Sequence, residues 1–225
     1  MTEPLADHFS AAACDYDRFR PRYPASLFDY LASLVAERDL AWDCATGTGQ
    51  AAAPLAARFR RVVASDASFA QITQTSRLPG VNFFVARAER VPLRDDCASL
   101  VTVGQALHWF DRAAFFSEAK RILRPDGILS AWTYTLCTVN SDVDGVVKGF
   151  YRDIVGTYWP SERSLVEDSY DGIVFPFAST ASVTMEMSAR WTAEELLTYL
   201  GTWSTVKHYR DARHEDPVDS IRAKL

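Results

Sequence analysis

The stretch Asp43-Cys44-Ala45-Thr46-Gly47-Thr48-Gly49 joins an apolar run, Leu40 to Ala45, to a segment with helical periodicity. Its glycines permit a tight turn and let backbone approach a ligand closely. Gly47-x-Gly49-x-x-Ala52 fits the loose dinucleotide fingerprint. Asp66, closing the next apolar run, stands about 20 residues on, where a ribose-binding acid belongs. The glycines and Asp66 alone therefore allow a nicotinamide dinucleotide and hydride transfer. Asp43 weighs against that choice. A pyrophosphate wants backbone N–H groups and no adjacent carboxylate, whereas an acidic turn suits a ligand carrying cationic groups. Asp43 can act on such a ligand directly or through the turn backbone, and Asp66 can accept from two ribose hydroxyls in either case.

A second set of residues follows a later apolar run. In Gln105-Ala106-Leu107-His108-Trp109-Phe110-Asp111, His108 is a candidate general base, because a free imidazole titrates near neutrality. Its competing role is a helix-start histidine that packs or bonds to backbone. Trp109 and Phe110 can wall a reacting centre, and Gln105 can contact ligand. Near the N-terminus, Arg18, Arg20 and Arg22 alternate with Tyr16 and Tyr23 close by; guanidinium groups pair bidentately with carboxylates, so this segment could hold one.

These residues need a frame at the carboxyl ends of strands, where open α/β sheets bind ligands. The chain supplies one. Apolar runs at Leu40 to Ala45, Arg61 to Ser65, Val81 to Ala86, Leu100 to Val103 and Ile128 to Tyr134 predict five strands. Helical periodicity separates them: Leu27 to Val35 in a helix that Pro24 opens at its first position, Ala51 to Phe59, residues 68–77, and Phe115 to Leu123 behind an Asp111 cap. Pro125-Asp126-Gly127 should stop the last of these helices. The alternation predicts an α/β fold with a doubly wound, mostly parallel sheet and helices on both faces. Beyond Tyr134 the sequence predicts a long amphipathic helix from Val143 to Val155, a strand within residues 181–191, and a helix from the Thr192/Glu195 capping box through Leu200.

Length and composition narrow the classes. The 225 residues suit one α/β domain with attachments, and the net charge of −5 does not suit a duplex-binding surface. No apolar run approaches the roughly 20 residues of a membrane span, and the opening MTEPLADHFS lacks a signal-peptide pattern. Cys14, Cys44, Cys97 and Cys137 are scattered, as reduced thiols of a cytoplasmic protein would be, and no metal site is expected.

Five segments then carry a family resemblance. Asp43-x-Ala45-x-Gly47-x-Gly49 resembles motif I of class I S-adenosylmethionine (SAM) methyltransferases, with Ala45 where a glycine is commoner. Phe83 to Leu93, containing Ala88-Glu89-Arg90-Val91-Pro92, resembles the type 11 group's segment after the third strand. Gln105 to Asp111 and Tyr16 to Pro24 resemble segments of the trans-aconitate methyltransferase-like subgroup. Arg121 to Gly127 resembles the group's turn before the fifth strand, with Asp126 for a glycine. The resemblance covers residues 8–135 and implies a Rossmann-like fold and a single methyltransferase domain over residues 1–225. Its cofactor core would span about 40–135, with a lid over 1–24 and additions over 136–225.

It further implies SAM held by Asp43, Ala45, Thr46, Gly47, Gly49, Asp66, Ala67, Ala88, Glu89, Gln105, Tyr16 and Arg20, with S-adenosylhomocysteine as product. The expected acceptor is a small molecule with an oxygen nucleophile, a carboxylate or a hydroxyl, and no nucleic acid or membrane partner; the protein would be a monomer or homodimer. His108 would act as base on a hydroxyl and be dispensable for a carboxylate. Such proteins usually end in a further strand that inserts at the sheet edge. None is legible before Leu225, so either that strand is missing or another element covers the edge. A SAM-binding protein without catalysis is the other reading that this feature leaves open.

Overall fold

A computed structural model describes residues 20–75 and 78–225. Its contacts divide the described chain into two compact units. One comprises Pro21–Tyr134 and Leu165–Ser188; the other comprises Arg20, Thr135–Ser164 and Ala189–Leu225.

The first unit is built on β1 (Leu40–Cys44), β2 (Arg61–Asp66), β3 (Val81–Val85), β4 (Ala98–Gly104) and β5 (Leu123–Trp132). The strands lie in the order β3-β2-β1-β4-β5 and every pairing is parallel. The helices α1 (Ala25–Ser33), α2 (Ala52–Ala56), α3 (Phe69–Gln74) and α4 (Arg112–Ile122) connect or flank them. β1 is central and buried throughout, and its side chains alternate between two cores. Leu40, Trp42 and Cys44 join a core with Val101, Val103 and the α4 residues Phe115, Ala119 and Ile122. Ala41 joins Val62, Ala64 and Leu100 against Phe28 and Leu31 of α1 and Leu55 of α2. Period-two alternation on a strand covered on both faces produces this division. The buried Trp42 indole donates to Ser65 Oγ at 2.9 Å, which offsets its loss of water.

A segment from Leu165 to Phe177 returns to this unit after the chain has left it. Val166 and Tyr170 are buried in the α4-side core, and the Phe175 and Phe177 rings lie 5.4 and 6.2 Å from that of Phe116. This strap thus covers part of α4.

In the second unit, α5 (Ser141–Gly149) runs into a π-helical turn, Phe150–Ile154. The short α6 (Arg163–Glu167) begins in this unit and continues from Leu165 as the first turn of the strap; α7 (Ala193–Gly201) and α8 (Ser204–Arg213) follow the strap. Phe150, Val155, Leu197, Leu200, Trp203 and Val206 form the centre of this unit's core.

Several boundaries differ from the sequence reading. Pro24 caps α1 in an extended conformation and does not begin it. α4 already ends at Ile122, and Pro125-Asp126-Gly127 lies inside β5, where the pairing with β4 is irregular between Ala98 and Leu100. The predicted 143–155 helix changes to π geometry from Phe150. Residues 181–191 form no strand: their polar and apolar side chains alternate, but among the described residues no backbone pairs with them, and most are exposed. Alternation describes two faces and cannot supply a ladder partner. Among the described residues no strand follows Trp132.

Candidate functional site

Strand order places the switch point between β1 and β4, which lie side by side although β2 and β3 intervene in sequence. The turn after β1 opens there. Ala45, Gly47 and Gly49 all have left-handed backbone, with φ of 54°, 57° and 91°. Gly49 is also constrained sterically, since a Cβ there would come within 3.1 Å of the Phe83 ring. Thr46 N donates to Ser65 O at 2.9 Å, tying the turn to β2. Asp66 completes the tie: Oδ2 accepts from Gly47 N and Oδ1 from Ser68 N, each at 2.9 Å. Both carboxylate oxygens thus face backbone donors of the turn, and an ionised carboxylate can accept from more than two donors. Ala67 is exposed beside it, before the Ser68 cap of α3.

Asp43 serves this turn from beneath. It lies on the Ala41 side of β1, next to Thr102 in the register with β4. Thr102 Oγ1 donates to Oδ1 at 2.9 Å, and Thr46 Oγ1 donates to Oδ2. Burial pushes the Asp43 carboxyl up to about 6, and Asp66 adds to the rise, against the hydrogen bonds from Thr46, Thr102 and the Ala52 backbone. Of the two roles open to Asp43, this geometry belongs to ordering the turn: both carboxylate oxygens are engaged by side chains of the protein.

Ala88 and Glu89 occupy the tip of a small turn closed by an antiparallel bridge between Arg87 and Arg90. Ala88 is buried, and Glu89 Oε1 accepts from Asp111 N at 3.2 Å, linking this turn to the start of α4. Gln105 follows β4 in left-handed conformation, φ 55°. Its Nε2 donates to Tyr134 O and its Oε1 accepts from Thr133 Oγ1, both at 2.9 Å, so its amide joins the ends of β4 and β5.

His108 sits in a single 3-10 turn, Leu107–Trp109. It is buried, its ring centroid is 4.7 Å from that of Trp109, and its Nδ1 is 2.9 Å from Tyr170 Oη. Phe110 packs against Phe115 at 4.9 Å, so it contributes to the core.

The first unit therefore gathers Asp43, Ala45, Thr46, Gly47, Gly49, Asp66, Ala67, Ala88, Glu89, Gln105 and His108 around strand ends or the turns that follow them. Tyr16 lies outside the described residues. Arg20 belongs to the second unit, where its Nη2 donates to Thr202 O at 3.1 Å and its guanidinium lies over the Tyr199 ring. Two participants escaped the sequence reading. Thr102 could have been found as a polar residue inside a buried strand. Tyr170 has no comparable local signal, because it meets His108 only through the strap.

A model of the methyltransferase domain matches residues 42–131. A methyltransferase-family protein of Dictyostelium discoideum is 32% identical over 235 residues, spanning 100% of this chain and 89% of the relative. A Mycobacterium tuberculosis methyltransferase-family protein is 37% identical over 123 residues, 54% of this chain and 49% of the relative. Among solved structures, an Anaeromyxobacter dehalogenans protein described as a type II methyltransferase superposes with a TM-score of 0.84 at 40% identity. That match covers 92% of this chain and 88% of the other.

Proposed function

Because this chain belongs to the class I SAM-dependent methyltransferases, we propose that it methylates a small-molecule acceptor at oxygen. SAM would lie across the turn after β1, and His108 would receive the acceptor's proton. The observation that carries the cofactor reading is the Asp66 carboxylate, fixed by Gly47 N and Ser68 N at the mouth of a left-handed glycine turn. The residues present fit SAM. Asp66 sets a carboxylate, the group that ribose hydroxyls bond to, at the mouth of the turn; Gly47 and Gly49 allow close backbone approach, and the Ala88-Glu89 turn lies beyond β3, where the adenine is expected.

When bound, SAM supplies an activated methyl group on sulfur and a neutral leaving group. The protein's contribution is then alignment and exclusion of water. An oxygen nucleophile that arrives as a hydroxyl must lose a proton, and His108 provides a group able to take it. The buried imidazole, held between Trp109 and Tyr170, supports a hydroxyl over a carboxylate, which needs no base.

Calorimetric titration with S-adenosylhomocysteine, with NAD as a parallel control, tests the cofactor site. Micromolar binding of the former and none of NAD is expected. Asp66→Ala should weaken it at least about tenfold, since a hydrogen bond to a charged group contributes about 1.5–3 kcal/mol. Unchanged binding in that variant would remove Asp66 from the site.

A further inference from the structure

Tyr170 is held against His108 by unusual local structure. It follows α6 in the chain, 62 residues beyond the histidine it meets. Ser169 and Tyr170 are consecutive non-glycine residues with φ of 53° and 64°. Side chains disfavour that region, and residues held in it persist where the surroundings over-determine them. The surroundings here are specific. Tyr170 N donates to Leu165 O at 2.9 Å, Ile173 N returns a bond to Tyr170 O at 2.9 Å, and Phe175 and Phe177 fasten the strap on Phe116. The result is a phenol that is only 6% exposed, with its hydroxyl at Nδ1 of a histidine that is 8% exposed.

We infer that Tyr170 is a positioning residue for the transfer reaction: its hydroxyl accepts the Nδ1 proton of His108, which fixes the imidazole as the Nδ1–H tautomer and directs base chemistry to Nε2. This rests on the reading of His108 as the base. The step balances simply. The acceptor oxygen forms a bond to the methyl carbon, the carbon–sulfur bond breaks with its electron pair going to sulfur, and the acceptor's O–H proton moves to Nε2. The resulting imidazolium keeps Nδ1–H on Tyr170 Oη. Without that partner, a histidine ring is free to carry its neutral-state proton on the nitrogen that the reaction needs unprotonated.

Long-range ¹H–¹⁵N correlation of the imidazole nitrogens tests this in the intact chain, with His108→Gln identifying the His108 signals. In the wild-type protein above the imidazole titration, Nδ1 should show a pyrrole-type shift and Nε2 a pyridine-type shift. In Tyr170→Phe, which keeps the ring and removes the hydroxyl, the two should exchange character wholly or in part. An Nδ1-protonated ring in both wild type and Tyr170→Phe would overturn the role of Tyr170 and leave the base reading standing. A wild-type ring carrying its proton on Nε2, whatever the variant does, would overturn the inference together with the base reading. The wild-type spectrum alone decides the tautomer should Tyr170→Phe fail to fold.

Discussion

Asp43→Asn should change how stability depends on pH. In the folded chain the Asp43 carboxyl titrates at about 6 against an ordinary 3.8, chiefly because burial disfavours its charge. A raised acid binds more protons folded than unfolded. Its stabilising contribution is therefore fully present below pH 3.8 and is lost as pH rises through 6. The whole loss is about 3 kcal/mol at 1.36 kcal/mol per pH unit. Roughly half of it, ~1.4 kcal/mol, falls between about pH 5 and pH 8. An asparagine fills the same space, can hydrogen-bond to Thr46 and Thr102, and does not ionise. Urea unfolding of both proteins at the two pH values should show the variant gaining about 1.4 kcal/mol on wild type from the lower to the higher. The offset at either pH reflects the new amide's hydrogen bonds; the change in offset isolates the charge. Parallel pH profiles would refute a buried, ionising Asp43.

Glu118→Gln should act in the opposite direction. Glu118 bonds Arg121 and accepts from Val91 N at 2.8 Å, and the Arg121 hydrogen bond leads in holding its carboxyl below the usual range. Its contribution is present above the unfolded pKa and lost as pH falls through the lowered folded value, so denaturation curves should show a deficit of about 1–3 kcal/mol at neutral pH that shrinks in acid. Gly49→Ala places a Cβ 3.1 Å from Phe83 at φ 91°. A loss of about 1–3 kcal/mol in stability is expected, with weaker S-adenosylhomocysteine binding by calorimetry, because the strained turn is also the proposed ligand cradle.

The sheet and its motif turn were legible because both are local. Each strand is an apolar run bounded by polar or turn residues, and the caps Asp111 and Thr192 lie beside the helices they start. Asp43 shows where locality ends. Its type and position indicated a role at the turn, but its inward direction follows from strand alternation together with the register that sets Thr102 beside it. Ser65 beneath Trp42 and Glu118 beneath Val91 are equally non-local pairings. Residues 181–191 show the reverse: the pattern is strand-like, but among the described residues no neighbour pairs with it. Tyr170 was the least accessible, since its contact depends on a strap that leaves one unit and re-enters the other.

That strap has a consequence for biosynthesis. From Arg20 onward the chain crosses between the units four times, so neither is a continuous stretch of sequence. A ribosome delivers the sheet first, through Tyr134, but its finishing strap only after the segment Thr135–Ser164 has emerged. Until then the Phe116 face of α4 lacks its Phe175 and Phe177 cover. The nascent sheet thus passes through an interval with exposed aromatic surface, the kind of species that chaperones engage. Closure of the long loop Thr135–Ser164 ahead of the strap thus becomes part of finishing the sheet unit itself.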